Sequence, residues 1–183
     1  MERKIIEQLR RRNACLEGIV YAETFETWED FWAKNDRGDW MLWVLGKLAG
    51  PPGSDSRRPL VMAACGCARL ALRKVPAGEL RPLKAIETAE AWAIGAEGVT
   101  VEGVRSAASA AYAAADAAAY AADAAAYAAS AASAADAAAS AAHAAASAAS
   151  AADAASAAAR RQALADCADI VRKHYPAAPD LKG

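Results

Sequence analysis

Apolar side chains recur at steps of three and four residues through the first hundred positions, and no stretch sustains the alternation of a strand. The pattern predicts an all-α fold. Residues 2–12 read as an amphipathic helix with Ile5, Ile6 and Leu9 on its apolar side, and a short helix is expected around 15–22. Thr27 is placed to cap a helix on which Trp28, Phe31 and Trp32 share one aromatic face. After the turn Asn35-Asp-Arg-Gly38, Asp39 is expected as the N-cap of a helix from Trp40 to about Leu48. Between Pro59 and Val75 the chain is apolar on nearly every side, the mark of a helix surrounded by others. Pro82 suits the start of a further helix, which Gly95 and Gly98 close, and Thr100 can cap the next.

The pattern changes at Ser106. From there to Arg160 alanine is interrupted only by single Ser, Asp, Tyr or His residues, at steps of three or four. Alanine has the best helix propensity, and no Gly or Pro falls between Gly103 and Pro176, so helix is predicted throughout. The mean step is about 3.4 residues, short of the 3.6 of an α-helix, so the polar stripe would slip around a straight helix. Two arrangements follow: a hairpin folded back on itself, or a long helix paired with another chain. Beyond it, Leu164, Cys167, Val171 and Tyr175 form an apolar stripe expected to return to the core. The expected organisation is a helical core domain at 1–100, an Ala-rich segment at 101–160 and a docking helix at 161–183.

Composition narrows the function classes. Hydrophobic residues make up 56% of the 183, but alanine supplies much of that and buries little area each. All five tryptophans precede the alanine segment, so the core is expected there. A net charge of −1 gives no basic face for nucleic acid, and Arg10-Arg11-Arg12 reads as cations closing the first helix. The N-terminus lacks a secretory apolar stretch, and the alanine segment is too weakly apolar to hold in lipid, which predicts a cytoplasmic protein with no membrane partner. Cys65 and Cys67 sit two apart on one helix and point to different faces. Buried thiols are expected there rather than a metal site, and no cofactor is predicted.

Asp136, Ser140, His143 and Ser147 hold the residue types of a hydrolase triad, but side by side on one helix none can orient another. No enzyme is predicted. The candidate partner- or ligand-binding residues are Asp39, Trp40 and Trp43, with the alternating Tyr112, Asp116, Tyr120, Asp123 and Tyr127. For the first three, two readings stand: a cap with core anchors, or a partly open aromatic pocket with Asp39 at its mouth. For the tyrosines, anchoring against the first domain stands beside partner recognition.

The stretch Arg37-Gly-Asp-Trp-Met-Leu-Trp-Val-Leu-Gly46 resembles the hallmark of a bacterial family assigned to the immunity proteins of polymorphic-toxin systems. Ala14-Cys15-Leu-Glu-Gly18, Ala63-Ala-Cys-Gly-Cys-Ala-Arg69, Ala85-Ile-Glu-Thr-Ala-Glu-Ala-Trp92 and Ala165-Asp-Cys-Ala-Asp-Ile-Val-Arg172 are similar to its other segments. The resemblance implies an all-α, non-enzymatic protein that neutralises a toxin, and the leading expectation is a binding protein of the toxin-immunity or anti-defence class. Two rival classes remain. One is a small-molecule, nucleotide-like sponge; the other is an oligomerisation module that self-associates through the Ala-rich helix.

Overall fold

In the computed structural model the described residues are 1–115 and 157–181, apart from residues 52 and 76. They form eight α-helices and no strand, an all-α fold. The helices are α1 (Arg3–Arg11), α2 (Leu16–Glu23), α3 (Trp28–Lys34), α4 (Gly38–Leu48), α5 (Arg58–Arg69), α6 (Arg81–Ala93), α7 (Val101–Ala115) and α8 (Ala157–His174). Short 3-10 turns precede and follow α5. The question of one alanine helix or a hairpin falls on residues 116–156, outside those described.

The helix signals act where the sequence places them. Thr27 Oγ1 accepts the Asp30 N–H at 3.0 Å, and Thr100 Oγ1 accepts that of Gly103 at 3.1 Å. Gly95 turns the chain out of α6 at φ 75°, a left-handed conformation that glycine adopts freely. Arg10 and Arg11 fill the last turn of α1. One cap differs from expectation. The helix expected to begin after an Asp39 cap starts at Gly38, and Arg37 occupies the capping position without capping the helix through its side chain. The Asp39 carboxylate is drawn instead to the Arg37 guanidinium, and from the first turn its charge still complements the helix dipole.

One apolar core joins Ile6 and Leu9 of α1, the aromatic face of α3, Met41, Leu42 and Leu45 of α4, more than half of α5, and Ala85, Ile86 and Ala89 of α6. It continues past residue 100 into Val104 and Ala108 of α7. Helix α8 closes it with Cys167, Ala168 and Val171, while Leu164 packs in a separate small cluster with Ala163. Two glycines let α8 in. A Cβ on Gly38 would stand 2.5 Å from both the Ala168 nitrogen and Cys167 Cβ, and one on Gly66 would stand 2.7 Å from Ile170 Cγ2. The α4–α8 crossing therefore brings backbone against backbone.

The chain after α8 straps the aromatic helix. Arg172 donates to the carbonyls of Trp32 at 3.2 Å and Asn35 at 2.8 Å, satisfying groups that the end of α3 leaves open. Beyond it the Trp32 indole N–H donates to the Tyr175 carbonyl at 2.9 Å, and that of Trp28 to Pro179 at 2.8 Å. Leu181 is buried, and its carbonyl accepts from Arg12 at 2.8 Å. The third arginine of the basic run thus ties the first helix to the tail.

Candidate functional site

The turn into α4 sets the site. Asn35, fully buried, accepts the Arg37 N–H with its side-chain oxygen at 2.7 Å, an Asx turn that aims the chain into α4. Arg37 then reaches forward, with Nε 2.9 Å from Asp39 Oδ1 and Nη2 2.6 Å from Oδ2. This two-point pairing fixes both planes. Burial works against the Arg37 charge, but the bonds to Asp39 more than offset it and hold its pKa above the ordinary value. The guanidinium carbon lies 3.7 Å over the Trp40 ring, within cation–π range.

Against this corner lies a cleft of about 290 Å³ with a mostly apolar lining. Helix α4 contributes Asp39, Trp40, Trp43 and Val44, and α3 contributes Phe31. From α2 come Cys15, Gly18 and Ala22, spaced three and four residues apart on one face. Leu9, Asn13 and Ala14 complete the wall where α1 passes into α2. Asn13 makes that corner at φ 63°, a conformation asparagine tolerates better than most residues. Gly18 keeps the space open, since a Cβ there would lie 3.3 Å from Cys15 Sγ and 3.9 Å from the Trp40 ring. The Cys15 thiol caps α2 by accepting the Gly18 N–H at 3.4 Å.

The aromatic rings form a continuous wall. Tyr21 meets Trp40 edge-on at 4.9 Å and Phe31 at 6.3 Å, and Trp28 stacks on Phe31 at 4.9 Å. The Tyr21 hydroxyl donates to Asp36 at 2.5 Å. Burial, and then that bond, push the Tyr21 pKa up to about 12. Outside the cleft, on the outward face of α2, Leu16 and Val20 are 74% and 55% exposed.

Trp40 and Trp43 both border the cleft, and Trp43 also packs against the core. Both are half-buried, and Trp43 lies under the Lys47 ammonium at 5.6 Å. Their three-residue spacing on α4 puts them on the other side of the helix from Met41, Leu42 and Leu45, which fill the core. Of the eight candidate residues, Asp39, Trp40 and Trp43 come together here. Tyr112 falls on α7, with its side chain outside those described; Asp116, Tyr120, Asp123 and Tyr127 lie outside the described residues, as do the triad-like Asp136, Ser140, His143 and Ser147. Sequence reasoning missed Cys15, Gly18 and Phe31 as cleft residues. The small-residue face of α2 was the available signal, while Phe31 reads as core from its position.

The paired cysteines separate as their spacing implies. Cys65 Sγ is 3.9 Å from the Ile86 carbonyl on α6, and Cys67 Sγ is 3.8 Å from the Cys167 carbonyl on α8. Both are wholly buried. Burial pushes the Cys65 thiol well up; the bond to Cys167 and then burial do the same to Cys67. Such thiols stay protonated and inert. Among the described residues no cluster of His, Cys, Asp or Glu has the make-up of a metal site, and no helix is long and apolar enough to cross a membrane. No family model matches the chain, and no curated protein or solved structure matches it.

Proposed function

We propose that this chain is a non-enzymatic binding protein that neutralises a protein partner of the toxin or defence class, and that the cleft between α2 and α4 receives the partner. The observation that carries this reading is the aromatic cleft with Leu16 and Val20 exposed on the helix that forms its wall. A small-molecule site encloses its ligand and converges several polar groups on it. Here the one carboxylate is already held by Arg37, and the Arg37 guanidinium is occupied with Asp39 and Trp40, which disfavours a nucleotide-like ligand that needs phosphate donors. Half-buried tryptophans in an open apolar cleft, with large apolar side chains left in water on the outward face of the same helix, suit a macromolecular surface rather than a small ligand. Such a protein acts in the compartment where its partner is made, the cytoplasm.

The test is growth rescue. The proteins encoded beside this gene are expressed one at a time in a bacterial host, and any that stops growth is co-expressed with this chain. Wild type is expected to restore growth, while Trp40→Ala, folded by its circular dichroism, is expected to lose at least tenfold in protection, the scale of one truncated interface aromatic. Full protection by Trp40→Ala would move the binding surface away from the cleft.

A further inference from the structure

The strap beyond α8 is built like a bound peptide. Residues 175–181, Tyr175-Pro-Ala-Ala-Pro-Asp-Leu181, belong to no helix. Two prolines three positions apart fix their own φ and favour the extended polyproline form, which has three residues per turn. Burial along the strap follows that period. Tyr175, Ala178 and Leu181 pack against the core, while Pro176, Ala177 and Asp180 are exposed. Every third residue thus faces inward, and Leu181, 2% exposed, is the one that is wholly buried.

The surface beneath holds the strap by its backbone. Trp32 Nε1 donates to the Tyr175 carbonyl at 2.9 Å and Trp28 Nε1 to that of Pro179 at 2.8 Å. Arg12, just after α1, donates to the Leu181 carbonyl at 2.8 Å. The two indoles stand one turn apart on α3, and their acceptors stand four residues apart on the strap. A segment without secondary structure brings its carbonyls open, and each one that is covered needs a donor. Side chains of the helices supply three. Backbone bonds of this kind accept any sequence, so selection falls to the prolines that preset the extended form and to the leucine that enters the core. Aromatic grooves that take proline-rich segments divide the work in the same way.

We infer that α3 and the end of α1 form a docking groove for an extended Pro-x-x-Pro-x-Leu segment. The strap is its ligand, held in cis and able to leave while the helices stay folded. None of Arg12, Trp28 and Trp32 lines the cleft, so the groove is a second site and stands whether or not the cleft receives a partner. Lifting the strap withdraws a single wholly buried side chain. Continuity with α8 keeps the strap at a high effective concentration, which a segment of the same chemistry arriving in trans has to overcome. The preset extended form lowers the ordering cost for either one.

The test uses the full chain and a fluorescent peptide of residues 174–181, with binding read by anisotropy. The change Leu181→Ser in the protein weakens its own strap and leaves the groove intact. This variant, folded by its circular dichroism, is expected to bind the peptide at least tenfold more tightly than wild type, whose strap competes. Adding Trp28→Phe to the receiving chain removes one donor, and Leu181→Ser in the peptide removes its anchor; each is expected to weaken binding about tenfold. No saturation of the Leu181→Ser protein below about 1 mM peptide, or equal binding of the peptide that lacks the leucine, would overturn the inference. Where Leu181→Ser does not fold, hydrogen exchange of the Trp28 indole N–H in wild type decides. Exchange at least tenfold faster than that of the α5 amides is the expected result, because the strap lifts without global unfolding. A smaller difference would make the strap part of the cooperative core and overturn the groove.

Discussion

Replacing Gly38 by alanine is expected to destabilise the protein by about 2–3 kcal/mol, although alanine is the better helix former by about 1 kcal/mol. The reversal of sign comes from the α4–α8 crossing. The added methyl would lie 2.5 Å from the Ala168 nitrogen and Cys167 Cβ, atoms fixed in or next to the backbone of α8, so the whole helix has to retreat. Retreat would pull Val171 and Cys167 from the core and loosen Arg172 from the end of α3. Gly66→Ala is the control. Its methyl would lie 2.7 Å from Ile170 Cγ2, a side-chain methyl rather than backbone, so a small shift of Ile170 relieves the contact and the gain in helix propensity offsets part of the crowding. Thermal unfolding should show Gly38→Ala melting roughly 4–12 °C lower and Gly66→Ala within a few degrees of wild type. Equal melting temperatures for wild type and Gly38→Ala would mean that α8 does not seat on α4 as described.

Trp32→Ala should cost about 3–5 kcal/mol, a large share of the roughly 5–15 kcal/mol that holds a domain folded. The indole is 1% exposed and central to the core, and its N–H is the anchor for the strap at Tyr175. Trp32→Phe separates the two contributions. It keeps much of the volume but leaves the Tyr175 carbonyl without its donor, at an expected cost of about 1–3 kcal/mol. Urea unfolding followed by far-ultraviolet circular dichroism measures both. A loss below about 1 kcal/mol for Trp32→Ala would contradict the packing of α3 against the strap.

Local chemistry was legible in the sequence, and contacts between distant segments were not. Thr27 and Thr100 cap their helices because a hydroxyl needs only the N–H three residues on. The α3 aromatic face and the return of Cys167 and Val171 follow from helical periodicity alone. Asp39 also met the local rule for a cap, but Arg37, two residues back, offered its carboxylate two charge-assisted bonds, and the helix began two residues earlier. Gly38 reads as a turn residue in sequence; its role depends on Cys167 and Ala168, far along the chain. The strap is equally hidden, because Trp28 and Trp32 find their acceptors 151 and 143 residues away.

The segment 35–43 therefore divides its work. Asn35 and Gly38 set the turn and the helix crossing, the Arg37–Asp39 pair forms the corner, and Trp40 and Trp43 turn to the cleft. The most direct test of the proposed binding site is the reactivity of Cys15, the exposed one among four cysteines. Its rate of modification by a thiol reagent is measured in the free protein and in the saturated complex with the partner that it neutralises. Tenfold or greater protection in the complex is the result expected of a partner seated in the cleft; an unchanged rate would contradict it.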